Sequence, residues 1–184
     1  PSSSSAASDV YKRQGLLQAL NDQKSLVNNV ATSGMVMSAA ILVGLSRKIL
    51  DLATAYTLDR KQFGKPIGSF QAVKHMLAQA AIEIEFSKAT LYRAAYSLDN
   101  DNPLQKLHAA QAKLQAIDAC EMASRNSMQA HGAMGYTWEM DLHIFIRRGW
   151  SYKQVWGNKS LLENYIMNQL EKDLPKLGST YTFL

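Results

Sequence analysis

The chain has 184 residues, a net charge of +5 and a single cysteine, Cys120. This length is enough for one hydrophobic core, and no shift in composition marks a second domain. The cationic excess is interleaved with acidic residues, so it does not predict a nucleic-acid surface. One cysteine excludes an internal disulfide and fits a reducing compartment, so we expect a cytoplasmic protein. No pair of cysteines or closely spaced histidines predicts a metal site.

The first fourteen residues, PSSSSAASDVYKRQ, differ from the rest of the chain. A serine and alanine run without apolar periodicity cannot bury surface, so we expect residues 1–14 to be disordered. They also lack the apolar segment of a secretory signal. We interpret them as a non-native leader, with a native flexible tail as the alternative. Without them the net charge is +4, because Lys12 and Arg13 outweigh Asp9.

Apolar residues three or four positions apart predict a first long helix over residues 23–59. Within it, residues 30–45 are the most apolar stretch of the chain. Sixteen residues are fewer than the ~20 that a helix needs to cross a bilayer. We therefore expect a buried helix, packed closely through its small residues.

Two further long helices follow. Gly64, Pro66 and Gly68 break the first helix, and Ser69 is the expected N-cap of the second. That helix ends at the turn-forming residues 99–103, and a third helix runs over residues 104–131.

Shorter helices are predicted over residues 139–149 and 159–174, followed by a loose tail at residues 175–184. Short connections between long helices favour antiparallel neighbours. We therefore predict an all-α, up-down four-helix bundle over residues 15–174, with no β-hairpin. Alanine lies on several faces of the third helix, from which we expect self-association.

Residues 59–75, DRKQFGKPIGSFQAVKH, form a basic, glycine-containing break that we call the first motif. Its glycines allow close backbone approach, and the start of the next helix favours an anion. Arg60 offers a planar fork for phosphate oxygens. Phe63 and Phe70 are suited either to cover a flat ring or to plug the local core.

Residues 129–143, QAHGAMGYTWEMDLH, form a second glycine-containing break, the second motif. Together the two motifs resemble the C-terminal helical domain of acyl-CoA dehydrogenases. These FAD-dependent enzymes introduce an α,β double bond into acyl-CoA thioesters. The resemblance covers about residues 16–170. In full-length members an all-α domain and a β domain come first, so the chain looks like a truncated C-terminal portion.

The resemblance implies that this domain contacts the FAD of a neighbouring subunit within a tetramer, a dimer of dimers. Arg60 and Phe63 would meet the pyrophosphate and adenosine portion, with Gln71 beside the cofactor. The remaining implied contacts with FAD are Phe70 in the first motif and Gln129, His131, Gly132 and Ala133 in the second. Many members have a second glycine where this chain has Ala133.

The catalytic base is missing from both places where the family carries it. Dehydrogenation needs a carboxylate to remove the substrate α-proton. The resemblance puts that glutamate at Gly157 in some members and at Gly34 in others, and glycine cannot act as a base. We therefore assign no catalytic residue. Trp156 and Met35 are expected on the acyl-CoA side of the site.

Three alternatives remain open at this point. The chain is similar to a bacterial subgroup in which one subunit of a hetero-oligomer lacks the base, so a homo- or hetero-tetramer is possible. A helical interaction module without chemistry is a rival interpretation. A flavin-dependent oxidase or monooxygenase on the same fold is the third.

Other polar and aromatic residues have simpler interpretations. We expect His108 to be solvated, and the carboxylates Glu139 and Asp141 to cap the N-terminus of a helix. Arg147 and Arg148 are expected to form a structural ion pair. Core or interface anchors are expected at three tryptophans, namely Trp138, Trp150 and Trp156.

Overall fold

A computed structural model describes the backbone of residues 3–172 and the side chains of residues 26–171. It confirms the all-α fold, in which long helices run up and down in one bundle. The helices are α1 (Ser3–Asp59), α2 (Gln71–Asp99), α3 (Gln105–His131), α4 (Leu142–Tyr152) and α5 (Lys159–Lys172). The predicted ends at residues 59, 99 and 131 agree with the structure.

Helix α1 begins at Ser3 rather than near Gln23, so the backbone of residues 3–14 is helical where disorder was expected. Extending an existing helix fixes one residue at a time and avoids the cost of nucleation. A run containing alanine can therefore continue a helix that is stabilised by packing further along. The side chains of residues 1–14 and the predicted tail at 175–184 lie outside the described residues.

Helix α3 lies at the centre of the bundle. It packs against α1 and α2 along its length and against α5, while α4 packs against α1. Small residues allow this close contact. Six alanines of α3 are fully buried, namely Ala109, Ala110, Ala112, Ala116, Ala119 and Ala123. The alanine-rich faces are thus covered by helices of the same chain and do not by themselves require a second subunit.

The connection between α1 and α2 contains a small antiparallel hairpin, which the sequence did not predict. Strand β1 (Lys61–Gln62) pairs with β2 (Lys65–Pro66). The two turn residues, Phe63 and Gly64, have positive φ angles of 54° and 80°, as a tight hairpin turn requires. Two-residue strands are too short to show an alternating pattern, which is why this hairpin was missed.

The predicted N-cap of α2 is wrong. Ser69 belongs to a short 3₁₀ turn at residues 67–69, and Phe70 takes the cap position without a side-chain hydrogen bond. The 3₁₀ turn thus moves the N-cap by one residue, from the predicted Ser69 to Phe70. It also places the backbone of the first motif against the end of α1.

The apolar segment of α1 is part of the core. Leu26–Asp59 is the one described segment that is long and apolar enough to cross a membrane by length and composition. Three of its side chains, Ala39, Leu42 and Ile49, are nevertheless fully buried by the neighbouring helices. This agrees with the expectation of a buried helix.

Candidate functional site

The two motifs lie at the same end of the bundle. Tyr56, one turn before the end of α1, stacks on His131, the last residue of α3, with ring centroids 4.3 Å apart and planes inclined by 17°. The Arg60 N–H donates to the Tyr56 carbonyl at 2.9 Å, so the first motif begins directly beyond this stack. Gly132 of the second motif follows His131. Residues far apart in sequence are thus brought to one edge.

The first motif presents cations that are available to a ligand. Arg60, Lys61, Lys65 and Lys74 are all exposed, and none of them forms an ion pair with another described residue. An Ile67 N–H to Arg60 carbonyl hydrogen bond of 2.8 Å closes the hairpin. An exposed guanidinium on a closed loop is suited to bind phosphate oxygens.

Gly68 is required by the packing of this loop. A Cβ at residue 68 would lie 3.1 Å from the Thr57 carbonyl oxygen and 3.2 Å from its Oγ1. Contacts of this kind are tighter than a side chain normally makes, so the loop backbone rests directly on the end of α1. Gly68 therefore allows a close backbone approach, as predicted for the glycines of this motif. The neighbour that it approaches is the end of α1 in the same chain.

The two phenylalanines of the first motif have different environments. Phe63 is 91% exposed, so it does not plug the core. Phe70 is half-buried, meets Phe63 edge to face at 6.2 Å, and lies 4.5 Å beneath the Lys65 ammonium. An isolated exposed phenylalanine at a hairpin tip leaves a large apolar ring free to contact a ligand or a partner.

The second motif places an exposed amide beside a glycine turn. Gln129 lies exposed on the last turn of α3, and its carbonyl accepts from the Gly132 N–H. Gly132 has φ 59° and ψ −139°, a conformation that favours glycine, although a Cβ there would meet nothing within 4 Å. Its requirement for glycine is thus conformational. The neighbouring Ala133 is exposed.

His131 holds the end of α3 from inside the protein. It was expected as a loop contact near the cofactor, but it is the last residue of α3 and only 3% exposed, and its Nδ1 lies 2.8 Å from the Ser127 carbonyl oxygen. Because a carbonyl only accepts, Nδ1 carries the proton of the neutral ring. Burial lowers the pKa of His131, which favours this neutral form. Its Nε2 is buried and has no hydrogen-bond partner in the structure.

A groove of about 570 Å³ continues from Gln129 between α3 and α4. Its lining includes Arg125, Tyr136 and Trp150, so it combines a cation with two exposed aromatic rings. This volume lies within the range of small-molecule sites. The amide of Gln129 therefore stands at the rim of a ligand-sized depression.

Both positions that lack the expected glutamate are adjacent in space. A Cβ at Gly34 would lie 2.5 Å from Cδ2 and Cε2 of Trp156, so the indole rests on the glycine backbone. Trp156 and Gly157 have positive φ angles of 60° and 109°. Met35, the other residue expected on the substrate side, is 6% exposed beside Gly34. Helix α1 and the turn before α5 thus meet at this point.

Several expectations about other residues are wrong. His108 is buried, with its Nδ1 2.6 Å from the Ser97 Oγ, instead of being solvated. Asp141 stands at the start of α4 but makes no capping side-chain hydrogen bond. The position of a residue within a helix does not show which neighbouring helix will cover it.

The arginines and tryptophans near the second motif also differ from expectation. Arg147 lies over the Trp138 ring at 5.1 Å and Arg148 over Tyr152 at 5.4 Å, and neither forms an ion pair with the described residues. The three tryptophans are not core residues of this chain; Trp138, Trp150 and Trp156 are 77%, 56% and 47% exposed. Their expected role at an interface stays a prediction.

Two notable residues gave no signal to sequence reasoning. Tyr56 follows the three- and four-residue apolar spacing of α1, which does not indicate a ring stack. Lys113 is fully buried in α3, and its Nζ has no hydrogen-bond partner. It lies among buried alanines, four residues after Ala109 and three before Ala116.

The residues present fit a dinucleotide cofactor that carries phosphate and aromatic rings. Unpaired cations, an exposed phenylalanine and a free amide lie at one end of the bundle. Among the described residues no group of histidine, cysteine and acidic side chains could hold a metal ion. Exposed cations beside an aromatic ring and an amide suit an organic anion.

The sequence profile of the acyl-CoA dehydrogenase C-terminal domain matches residues 26–171. Acyl-CoA dehydrogenase IpdE2 of Mycobacterium tuberculosis is 32% identical over 147 residues, covering 79% of this chain and 42% of that protein. Glutaryl-CoA dehydrogenase of Desulfococcus multivorans is 32% identical over 154 residues, covering 84% of this chain and 40% of that protein. The chain thus spans about two fifths of these relatives.

The fold is also similar to solved structures. Glutaryl-CoA dehydrogenase in complex with glutaryl-CoA superimposes with a TM-score of 0.73 and 32% identity. The match covers 81% of this chain and 38% of that one. Sequence and fold therefore lead to the same group of proteins.

Proposed function

The chain belongs to the acyl-CoA dehydrogenase family, and from this premise we propose that it serves as the C-terminal domain of an FAD-dependent acyl-CoA dehydrogenase. In this role it binds the FAD of a neighbouring subunit within a tetramer. The observation that carries the proposal is the meeting of the two motifs at one end of the bundle through Tyr56 and His131.

Each side chain of the site makes a different proposed contact with FAD. Arg60 binds the pyrophosphate, because its guanidinium is exposed and unpaired among the described residues. Phe63 covers an apolar part of the cofactor, which explains why a ring that is 91% exposed is kept at a hairpin tip. Gln71, Gln129 and the backbone of Gly132 and Ala133 add polar contacts. Phe70 supports Phe63 from behind.

FAD, when bound, accepts the hydride that leaves the β-carbon of the acyl-CoA substrate. The residues on the expected substrate side, Trp156 and Met35, are a large indole and a buried thioether, so they shape an apolar surface. Neither can remove the α-proton. Since Gly34 and Gly157 also lack a side chain, the carboxylate needed for that step has to come from another position or another subunit.

A second candidate function follows from the Gly34–Trp156 contact. A glutamate at residue 34 would collide with the indole, and one at residue 157 would have to adopt φ 109°. Both positions are thus structurally adapted to glycine. We propose as the alternative that the chain is the base-free subunit of a hetero-oligomeric dehydrogenase, whose partner subunit supplies the glutamate. We also propose a cytoplasmic location, since the single cysteine, Cys120, is free.

The FAD proposal is tested by replacing Arg60 with alanine in the full-length, assembled protein. We expect bound flavin to fall while the helical circular dichroism is unchanged. Arg93→Ala, an exposed arginine on α2, is the matched control and should retain flavin. Equal flavin content in both variants would favour the helical interaction module instead.

The alternative is tested by measuring acyl-CoA dehydrogenation with and without a second, glutamate-bearing dehydrogenase subunit. We expect turnover only in the mixed oligomer, together with co-elution of the two chains. Full turnover by the homo-oligomer would reject the base-free subunit and leave the FAD-binding role intact.

A further inference from the structure

The stack of Tyr56 on His131 is the one described aromatic pair that joins the ends of α1 and α3. Each ring adjoins a motif: the Tyr56 carbonyl accepts the Arg60 N–H of the first motif, and His131 lies in the second motif directly before Gly132. A displacement of either ring therefore moves the motif residue beside it.

His131 is held tightly from its own helix. Its Nδ1–H donates to the Ser127 carbonyl, and Ser127 Oγ in turn reaches the Ile49 carbonyl of α1 at 3.4 Å. The imidazole face is therefore fixed relative to both helices. Gly135 packs against the same turn, because a Cβ there would lie 2.7 Å from Met128 Sδ and 3.1 Å from the His131 Cβ.

A histidine at residue 131 lowers the stability of the fold if its only role is to fill space. Its Nε2 is buried without a partner, and an unsatisfied buried polar atom costs free energy. What the imidazole provides is a flat ring, anchored by Nδ1, against which Tyr56 can lie in parallel. An aliphatic residue would fill the space without fixing the orientation of Tyr56.

We propose that Tyr56 and His131 are a positioning pair that couples the two flavin-binding motifs, so that ordering one motif orders the other. The proposal rests on the proposed FAD function for its ligand, but the coupling itself is a property of this chain. Neither residue is assigned a contact with FAD. Their role is to hold Arg60 and Gly132 at a fixed separation, which lowers the ordering cost of binding a ligand that spans both.

The test uses the full-length assembled protein with Tyr56→Leu and the conservative Tyr56→Phe. Backbone amide exchange is measured over residues 132–136, far in sequence from the substitution, and the Kd for FAD is measured separately. Tyr56→Leu should speed exchange in residues 132–136 and weaken FAD by about two- to tenfold, the range expected for one aromatic pair. Tyr56→Phe should match the parent in both readouts, since it keeps the ring.

Unchanged exchange at residues 132–136 in a folded Tyr56→Leu variant would overturn the coupling. So would equal loss in Tyr56→Phe, because the ring would then be irrelevant. If Tyr56→Leu does not fold, His131→Leu is used in the other direction, with exchange read over residues 61–65. A parent protein that binds no FAD refutes the proposed function, whereas the exchange result still decides the coupling.

Discussion

The indole of Trp156 occupies the space into which a side chain at Gly34 would project, with a Cβ at residue 34 only 2.5 Å from the ring. Two segments more than a hundred residues apart are therefore fitted to each other. The absence of a carboxylate at residue 34 is matched by the presence of a large ring at residue 156. This pairing makes the consequences of substitution at residue 34 specific and measurable.

Gly34→Ala is expected to destabilise the protein. Glycine to alanine inside a helix normally gains about 0.5–1 kcal/mol, but overpacking against the indole costs about 1–3 kcal/mol. Urea unfolding should show a net loss. Gly44→Ala in the same helix is the control; a Cβ there meets nothing within 4 Å, so that variant should be stabilised. Stabilisation of Gly34→Ala would show that Trp156 moves freely, and adding Trp156→Ala should relieve the clash.

Lys113→Met is expected to stabilise the protein at pH 7. Burial lowers the pKa of Lys113 from 10.5 to about 8, so the folded state binds fewer protons between these values. Stability is therefore greatest above pH 10.5 and falls as the pH drops toward 8, where both states become protonated. At about 1.4 kcal/mol per pKa unit, the loss is about 3 kcal/mol at pH 7.

The measurement for Lys113→Met is the free energy of unfolding at pH 7 and at pH 9.5. The gain should be larger at pH 7, because the penalty is only partly present at the higher pH. Lys74→Met, which removes an exposed amine from α2, is the matched substitution. A destabilised Lys113→Met variant would mean that the amine has a partner in solution.

Acid is expected to destabilise the protein through two buried histidines. Burial is the main cause that lowers the pKa of both His108 and His131. The folded state therefore prefers the neutral rings, and the unfolded state binds more protons below pH 6.5. Stability is fully present above pH 6.5 and is lost as the pH falls through the lowered pKa values.

Unfolding midpoints between pH 5 and pH 8 would measure this loss. His108→Asn should flatten the profile, whereas His75→Gln, which changes an exposed histidine, serves for comparison. If the unfolding midpoint of His108→Asn depends on pH as steeply as that of the parent, other groups cause the acid sensitivity. Because Ser97 Oγ lies 2.6 Å from His108 Nδ1, asparagine is chosen to keep a polar partner for it.

Substitution of Phe63 is expected to weaken ligand binding without lowering stability. Its φ of 54° is unfavourable for a phenylalanine and well suited to asparagine. With 91% of the residue exposed, Phe63→Asn loses almost no buried surface, so the free energy of unfolding should be unchanged or slightly higher. In the assembled protein the same variant should bind FAD more weakly. Unaltered FAD affinity would remove Phe63 from the proposed site.

The sequence predicted helices better than contacts between them. The C-terminal ends of α1, α2 and α3 were correct, because turn-forming residues and glycines act locally. The start of α2 was wrong because Ser69 is taken up by a 3₁₀ turn. Burial of His108 depends on α2 and α3 meeting near their connection, which helical spacing does not encode.

The same limit applies to the candidate site. The two motifs identified the exposed side chains, since their residue types carry the chemistry. The stack of Tyr56 on His131 was not predicted, because it depends on the parallel alignment of α1 and α3. Lys113 was missed for a related reason: a lysine on an alanine-rich helix is normally solvated at its tip. Here the neighbouring helices bury the whole side chain, including its amine.

The fully buried alanines of α3 also have an entropic consequence. Alanine has no side-chain rotamers to lose, so burying these residues costs almost no side-chain conformational entropy. Helix α3 thus forms tight contacts with α1 and α2 at a low ordering cost per residue. The last turn of α3 carries Gln129, so the backbone at this part of the site should be ordered before any cofactor binds.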